Sequence, residues 1–162
     1  MKESYQKQMF DYLHKMGIEN FVGVPDSTLK NFIQQGIDKK KILIASREEE
    51  AIGIAAGMLL AKSPSLVFMQ NAGLANSLST IASLIQLYKF PLIFLISWRG
   101  YLKNDAPEHQ KIGKIQPELL KTMKLEYKVL KNQNWKKMCD WALKKSKKNI
   151  SCALVIPREF LD

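Results

Sequence analysis

The chain has 162 residues, 46% of them hydrophobic and 25% charged, with a formal net charge of +10. That length suits one domain, residues 1–162, able to bury roughly 70% of the surface its unfolded chain exposes, and the composition is ordinary for a soluble globular protein. No apolar run approaches the ~18 residues of a membrane span, and Met1-Lys2-Glu3-Ser4 lacks the apolar core of a signal peptide; a cytoplasmic protein without a membrane partner is expected.

Met9, Tyr12, Leu13 and Met16 recur at helical spacing, and Gly17 ends that helix. Residues 21–24 read as a short strand stopped by Pro25, 29–37 as a helix and 41–45 as a strand. A helix is expected over 49–61, a strand over 65–70, a helix over 74–88 and a strand over 91–97. The stretch from Trp98 to Gln116 reads as the longest polar loop, followed by a short helix over 117–123 that starts at Pro117. A weaker strand over 126–130, a helix over 135–145 and a last strand over 152–156 complete the pattern. Apolar strands separated by helices imply an α/β fold of three layers: a mostly parallel six-stranded sheet with helices on both faces.

The positive charge is concentrated. Ten lysines stand between Lys121 and Lys148 against Glu126 and Asp140 alone. No arginine occurs there, and the aromatics fall at buried-face spacing, unlike the mixed Arg and aromatic stripes of nucleic-acid grooves. A solvated outer face is therefore expected, with attraction to an acidic partner subunit as the alternative. Cys139 and Cys152 have no metal-ligand spacing and read as buried thiols. His14, beside Leu13, reads as a structural or surface histidine.

Three segments carry the polar chemistry. Ser46-Arg47-Glu48-Glu49-Glu50, the run from Gln70 to Asn76, and Ser97-Trp98-Arg99-Gly100 each follow an apolar strand. All three should lie at the carboxyl edge of one sheet, where open α/β folds bind ligands. The chain contains neither GxGxxG nor GxxxxGK[ST], and no acidic cluster shaped for magnesium.

Five segments in one order bring a family into view: residues 23–30 (Gly-Val-Pro-Asp-Ser-Thr-Leu-Lys), 47–57 (Arg-Glu-Glu-Glu-Ala-Ile-Gly-Ile-Ala-Ala-Gly), 69–76 (Met-Gln-Asn-Ala-Gly-Leu-Ala-Asn), 97–100 (Ser-Trp-Arg-Gly) and 105–109 (Asp-Ala-Pro-Glu-His). Together they resemble the pyrimidine-binding domain of thiamine-diphosphate enzymes, in particular phosphonopyruvate decarboxylase and the alpha subunit of sulfopyruvate decarboxylase. The resemblance implies decarboxylation of a 2-oxoacid to an aldehyde. It makes Glu48 the acid that hydrogen-bonds a pyrimidine ring nitrogen of thiamine diphosphate, and burial there would ease proton sharing with the ring. Glu49 and Glu50 need no more explanation than the preference for acids in the first turn of a helix. Pro25, Asn71, Gly73 and Leu74 are implied to line the cofactor, and Ser27 and Asn76 the substrate.

Asp26 is either a turn or helix cap or a catalytic carboxylate near the substrate. Arg99 is either a surface charge or the planar fork that binds the distal anion of the substrate. His109 is either a loop histidine or a substrate-contacting proton donor after carbon dioxide leaves. The resembling enzymes also carry magnesium and the diphosphate on a second domain with a GDG-type motif, and no such motif occurs in this chain. The resemblance thus implies that Mg2+ is held by a diphosphate-binding beta subunit, in a hetero-oligomer with two or more copies of each chain. The substrate implied is a small anionic 2-oxoacid, with phosphonopyruvate narrowly preferred and sulfopyruvate the alternative. Two further readings are a noncatalytic partner-binding subunit and a basic nucleic-acid-binding module.

Overall fold

A computed structural model describes residues 4–102 and 105–158. Six strands pair in one all-parallel sheet, in the order β2-β1-β3-β4-β6-β5. They are β1 (Asn20–Gly23), β2 (Ile42–Ile44), β3 (Ser65–Gln70), β4 (Ile93–Trp98), β5 (Tyr127–Val129) and β6 (Cys152–Pro157). After α1 (Tyr5–Lys15), which precedes β1, the crossovers that parallel pairing requires are supplied by α2 (Lys30–Asp38), α3 (Glu48–Leu60), α4 (Asn71–Asn76), α5 (Leu78–Thr80), α6 (Pro107–Thr122) and α7 (Trp135–Ser146).

Alternation along the strands sorts the apolar side chains into two cores. Phe21, Phe68, Leu95 and Leu154 pack against α1, α2 and α7, with the Phe10 and Phe21 ring centroids 4.2 Å apart. Val22, Val67, Phe94 and Val155 pack on the opposite face against Ile52 and Ala55 of α3, Leu74 and Leu120. Residues 66–69, 93–96 and 152–156 are wholly buried, as continuous apolar runs in central parallel strands should be.

Three expectations are corrected. Strand β2 is an edge strand, paired with β1 alone, and Leu43 and Ile44 are exposed rather than buried. The helix expected over 74–88 is three pieces: α4, then α5 after the buried Ser77, then a π-helical turn at Ile81–Gln86. The polar loop expected between Trp98 and Gln116 is mostly helix, because α6 starts at Pro107 and runs straight through Pro117; Lys103 and Asn104 lie outside the described residues. Proline lacks the N–H that would bond the carbonyl four residues back. Here that carbonyl, Gly113 O, accepts the indole N–H of Trp98 at 2.8 Å. A bond lost inside the helix is replaced by one that ties α6 to the end of β4.

The lysines between Lys121 and Lys148 are exposed, apart from the half-buried Lys145, and Trp135 is buried behind them. That is the distribution of a solvated face. Cys139 and Cys152 are free and buried, and burial pushes both thiols up to about 12. His14, half-buried, faces the Ile18 carbonyl at 2.9 Å. No helix among the described residues is long and apolar enough to cross a membrane.

Candidate functional site

The carboxyl ends of β1, β3, β4 and β6 are consecutive in the sheet, and the residues that follow them meet. Asp26, after β1, is buried. Its Oδ2 accepts from the N–H of Thr28 at 3.1 Å, capping a short 3-10 turn (Ser27–Leu29), and its Oδ1 accepts from Gln70 Nε2 at 2.9 Å. Gln6, on α1 and fully buried, supports this turn: its Nε2 donates to Thr28 O at 2.7 Å, and its Oε1 accepts from Phe32 N at 3.2 Å. Asp26 therefore does cap the turn, and it also faces Arg99.

Arg99 follows β4. Its Nε and Nη2 donate to Asp105 at 3.0 and 2.8 Å, while Nη1 stands 3.4 Å from Ser27 Oγ and 3.9 Å from Asp26 Oδ1. Asp105 accepts further from the N–H groups of Gly100 at 2.7 Å and Ala106 at 2.9 Å, and Arg158 after β6 approaches it to 3.6 Å. The Arg99 guanidinium, with the backbone N–H groups of Gly100 and Ala106, holds the Asp105 carboxyl well below the usual carboxylate range. In turn Asp105 raises Arg99. Gly100 has φ +73°, and a side chain there would run into the carbonyl of His109, so the chain turns onto α6 only with glycine.

Glu48 opens α3, the helix that follows the edge strand β2. Its side chain lies across Gly73 of α4, so closely that a β-carbon on Gly73 would overlap its Cγ, Cδ and Oε1. Glu50 turns the other way, and its Oε2 accepts from the N–H of Ser46 at 2.8 Å, satisfying a donor ahead of the helix start. Of the three acids, Glu48 is the one seated against α4.

The remaining expected residues divide. Asn71 is fully buried at the end of β3, and its Nδ2 donates to Arg99 O at 2.8 Å. Pro25 is exposed beside Asp26. Leu74 is buried in the core, which leaves its backbone rather than its side chain for a ligand. Asn76 is exposed at the far end of α4, about 7–8 Å along the axis from Asn71. His109 is half-buried in the first turn of α6, not in a loop, with its backbone against Gly100. The residues for which the sequence suggested no role are Asp105, Gln70, Arg158 and Gln6. Asp105, two positions before a proline at a helix start, carried a readable signal; Arg158 had none.

Asn71 Oδ1 and Ser97 Oγ, at the ends of adjacent strands, are buried without hydrogen-bond partners. Buried polar atoms of this kind normally find one. Asn71 Oδ1 and the Glu48 carboxylate seated on Gly73 fit a polar heterocycle entering beside α4, whereas Ser97, continuing the alternation of Ile93 and Leu95, points to the opposite face of the sheet. Among the described residues no cluster of three or more His, Cys, Asp or Glu side chains is arranged to hold a metal.

Residues 4–125 match the thiamine pyrophosphate enzyme family, N-terminal TPP binding domain. The chain belongs to this family. It is 35% identical over 135 residues to sulfopyruvate decarboxylase subunit alpha of Methanocaldococcus jannaschii, covering 76% of this chain and 80% of the relative. The subunit alpha of Methanococcus maripaludis is 35% identical over 113 residues, covering 68% of each chain. Phosphonopyruvate decarboxylase of Streptomyces viridochromogenes is 30% identical over 118 residues, 71% of this chain but 30% of that one. Among solved structures, benzoylformate decarboxylase from Polynucleobacter necessarius superposes on 98% of this chain and 31% of its own, with TM-score 0.74 at 20% identity. A putative thiamin diphosphate-dependent enzyme from Mycobacterium smegmatis covers 100% of this chain and 32% of its own, with TM-score 0.76 at 18% identity. At those identities the likeness establishes the thiamine-diphosphate-binding fold.

Proposed function

We propose that the chain is the pyrimidine-binding alpha subunit of a decarboxylase that acts on a short 2-oxoacid ending in a tetrahedral anion. Glu48 seated against Gly73 at the carboxyl edge of the sheet carries this assignment. When bound, thiamine diphosphate supplies the nucleophilic carbon and the electron sink that loss of carbon dioxide requires. Glu48 would bond and share a proton with a pyrimidine ring nitrogen. Asn71, through its unpartnered Oδ1, and the backbone of Gly73 and Leu74 would line the same ring. Asp26, with Ser27 beside it, would face the substrate, His109 would return a proton to it, and Arg99 would grip its distal anion.

The outer face of α3 supports a partner subunit. No charged residue occurs between Glu50 and Lys62, Gly53 and Gly57 open onto empty space, and Leu60 is 72% exposed. An apolar helix surface of this sort marks an interaction site. The partner would bring the diphosphate and Mg2+ site, in an assembly with at least two copies of each chain.

Sulfopyruvate is favoured as substrate because relatives named as its decarboxylase's subunit alpha are matched over 68% and 80% of their own length. Phosphonopyruvate is the second reading, favoured by the segments 97–100 and 105–109 that resemble its decarboxylase. Both place a tetrahedral anion where Arg99 stands. The test is kcat/KM of the complex reconstituted with the diphosphate-binding subunit. Sulfopyruvate or phosphonopyruvate should exceed pyruvate at least a hundredfold, since pyruvate leaves the cation without its partner. A complex that prefers pyruvate would refute the assignment.

A further inference from the structure

We propose that Asp105 is a positioning residue for substrate selection: it clamps the side edge of the Arg99 guanidinium so that the end edge is presented to the distal anion of the substrate. The inference rests on the functional reading above and extends it to a residue that makes no contact with substrate.

A guanidinium offers five N–H donors in a rigid plane, with two edges suited to a bidentate acceptor. Asp105 takes the side edge, Nε at 3.0 Å and Nη2 at 2.8 Å. The end edge, made of the outer Nη1 and Nη2 donors, is left. Asp26 Oδ1 stands 3.9 Å from Nη1, beyond hydrogen-bonding distance, and Ser27 Oγ at 3.4 Å makes a long bond at best. The Arg99 side chain is only 16% exposed, and the exposed contact is on the Nη1 side, so the open edge is the part a ligand can reach.

The clamp is itself rigid. Asp105 is fixed by the N–H groups of Gly100 and Ala106, on either side of the turn that joins β4 to α6. The carboxylate is also shared with Arg158 at 3.6 Å, so that part of its charge is met by a second cation and Arg99 is not neutralised by Asp105 alone. Without the clamp the arginine would swing toward Asp26, and its fork would be spent inside the protein. A lysine at 99 could satisfy Asp105 or an anion, but not both in fixed geometry.

The experiment uses the reconstituted complex and reads the ratio of kcat/KM for sulfopyruvate or phosphonopyruvate to that for pyruvate. Asp105→Asn removes the charge that fixes Arg99 and keeps an oxygen for one of the two backbone N–H groups, which bond different carboxylate oxygens. The ratio should fall at least tenfold, mainly through KM for the anionic substrate. Arg99→Lys should give a similar fall, and the double variant should be no worse than the poorer single variant, because the two residues act as one unit. A purely structural Asp105 would depress both substrates alike and leave their ratio unchanged. A ratio within twofold of wild type in Asp105→Asn, or additive losses in the double variant, would overturn the proposal. If Asp105→Asn does not assemble, Arg99→Lys decides, since it leaves Asp105 and its backbone bonds in place; a ratio within twofold of wild type there is equally fatal. A wild-type complex that turns over no anionic 2-oxoacid would instead count against the functional reading.

Discussion

Replacing Gly73 by alanine separates stability from activity in a way that the site geometry dictates. Gly73 lies in the first turn of α4, and glycine inside a helix costs up to about 1 kcal/mol relative to alanine. On propensity alone the substitution should stabilise the chain. The new methyl, however, would sit more than about 1 Å inside van der Waals contact with Cγ, Cδ and Oε1 of Glu48. Those atoms belong to a flexible side chain, so Glu48 gives way by changing rotamer at about 0.5–1.5 kcal/mol. The net effect on unfolding should lie within about 1 kcal/mol of zero. Activity should not be spared, because a displacement of about 1 Å in a reacting group costs on the order of a hundredfold. Urea unfolding of the chain and decarboxylation by the reconstituted complex measure the two effects separately. Near-normal turnover in Gly73→Ala would refute the idea that this contact seats the catalytic acid, as would a loss of stability of several kcal/mol.

Glu48→Gln should keep the fold and partner binding yet lose most activity, whereas Glu50→Gln should weaken the bond to Ser46 N, cost about 0.5–1 kcal/mol and leave turnover nearly intact; equal activities in the two variants would remove Glu48 from the mechanism. Arg99 and two backbone N–H groups depress the Asp105 carboxyl in the folded chain, so its contribution to stability is complete above the unfolded value of about 4 and is lost only as pH falls through the lower folded value. Asp105→Asn should therefore cost about 3–5 kcal/mol equally at pH 7 and pH 5, with the difference from wild type shrinking only below about pH 4; urea melts at pH 7, pH 5 and about pH 3 test this, and a difference that fades between pH 7 and 5 would refute it. The isolated chain should bind thiamine diphosphate weakly and self-associate through α3, and Leu60→Glu should reduce that association without unfolding the chain, since Leu60 is exposed; sedimentation and calorimetry read both.

The alternation of apolar strands and amphipathic helices was legible because burial on both faces leaves continuous apolar runs such as 65–70 and 152–156, and parallel pairing forces a crossover between them. Glu48 was legible too, since its place between a strand and an apolar helix puts it at the ligand-binding edge in any such fold. The helix across Pro117 was not. Its missing bond is compensated by Trp98, 15 residues away from Gly113, and no local rule reports a partner at that distance. The open face of β2 likewise depended on strand order: Ile42, Leu43 and Ile44 read like any buried strand until the sheet places them at its edge. The bond of Glu50 to Ser46 and the clamp of Asp105 on Arg99, four and six residues apart, are local contacts that residue type alone did not single out. Residue type and spacing specify which groups can do chemistry, but that the Glu48 carboxylate meets Gly73 depends on segments following two different strands, β2 and β3. Local sequence determines periodicity; the sheet order determines who faces whom.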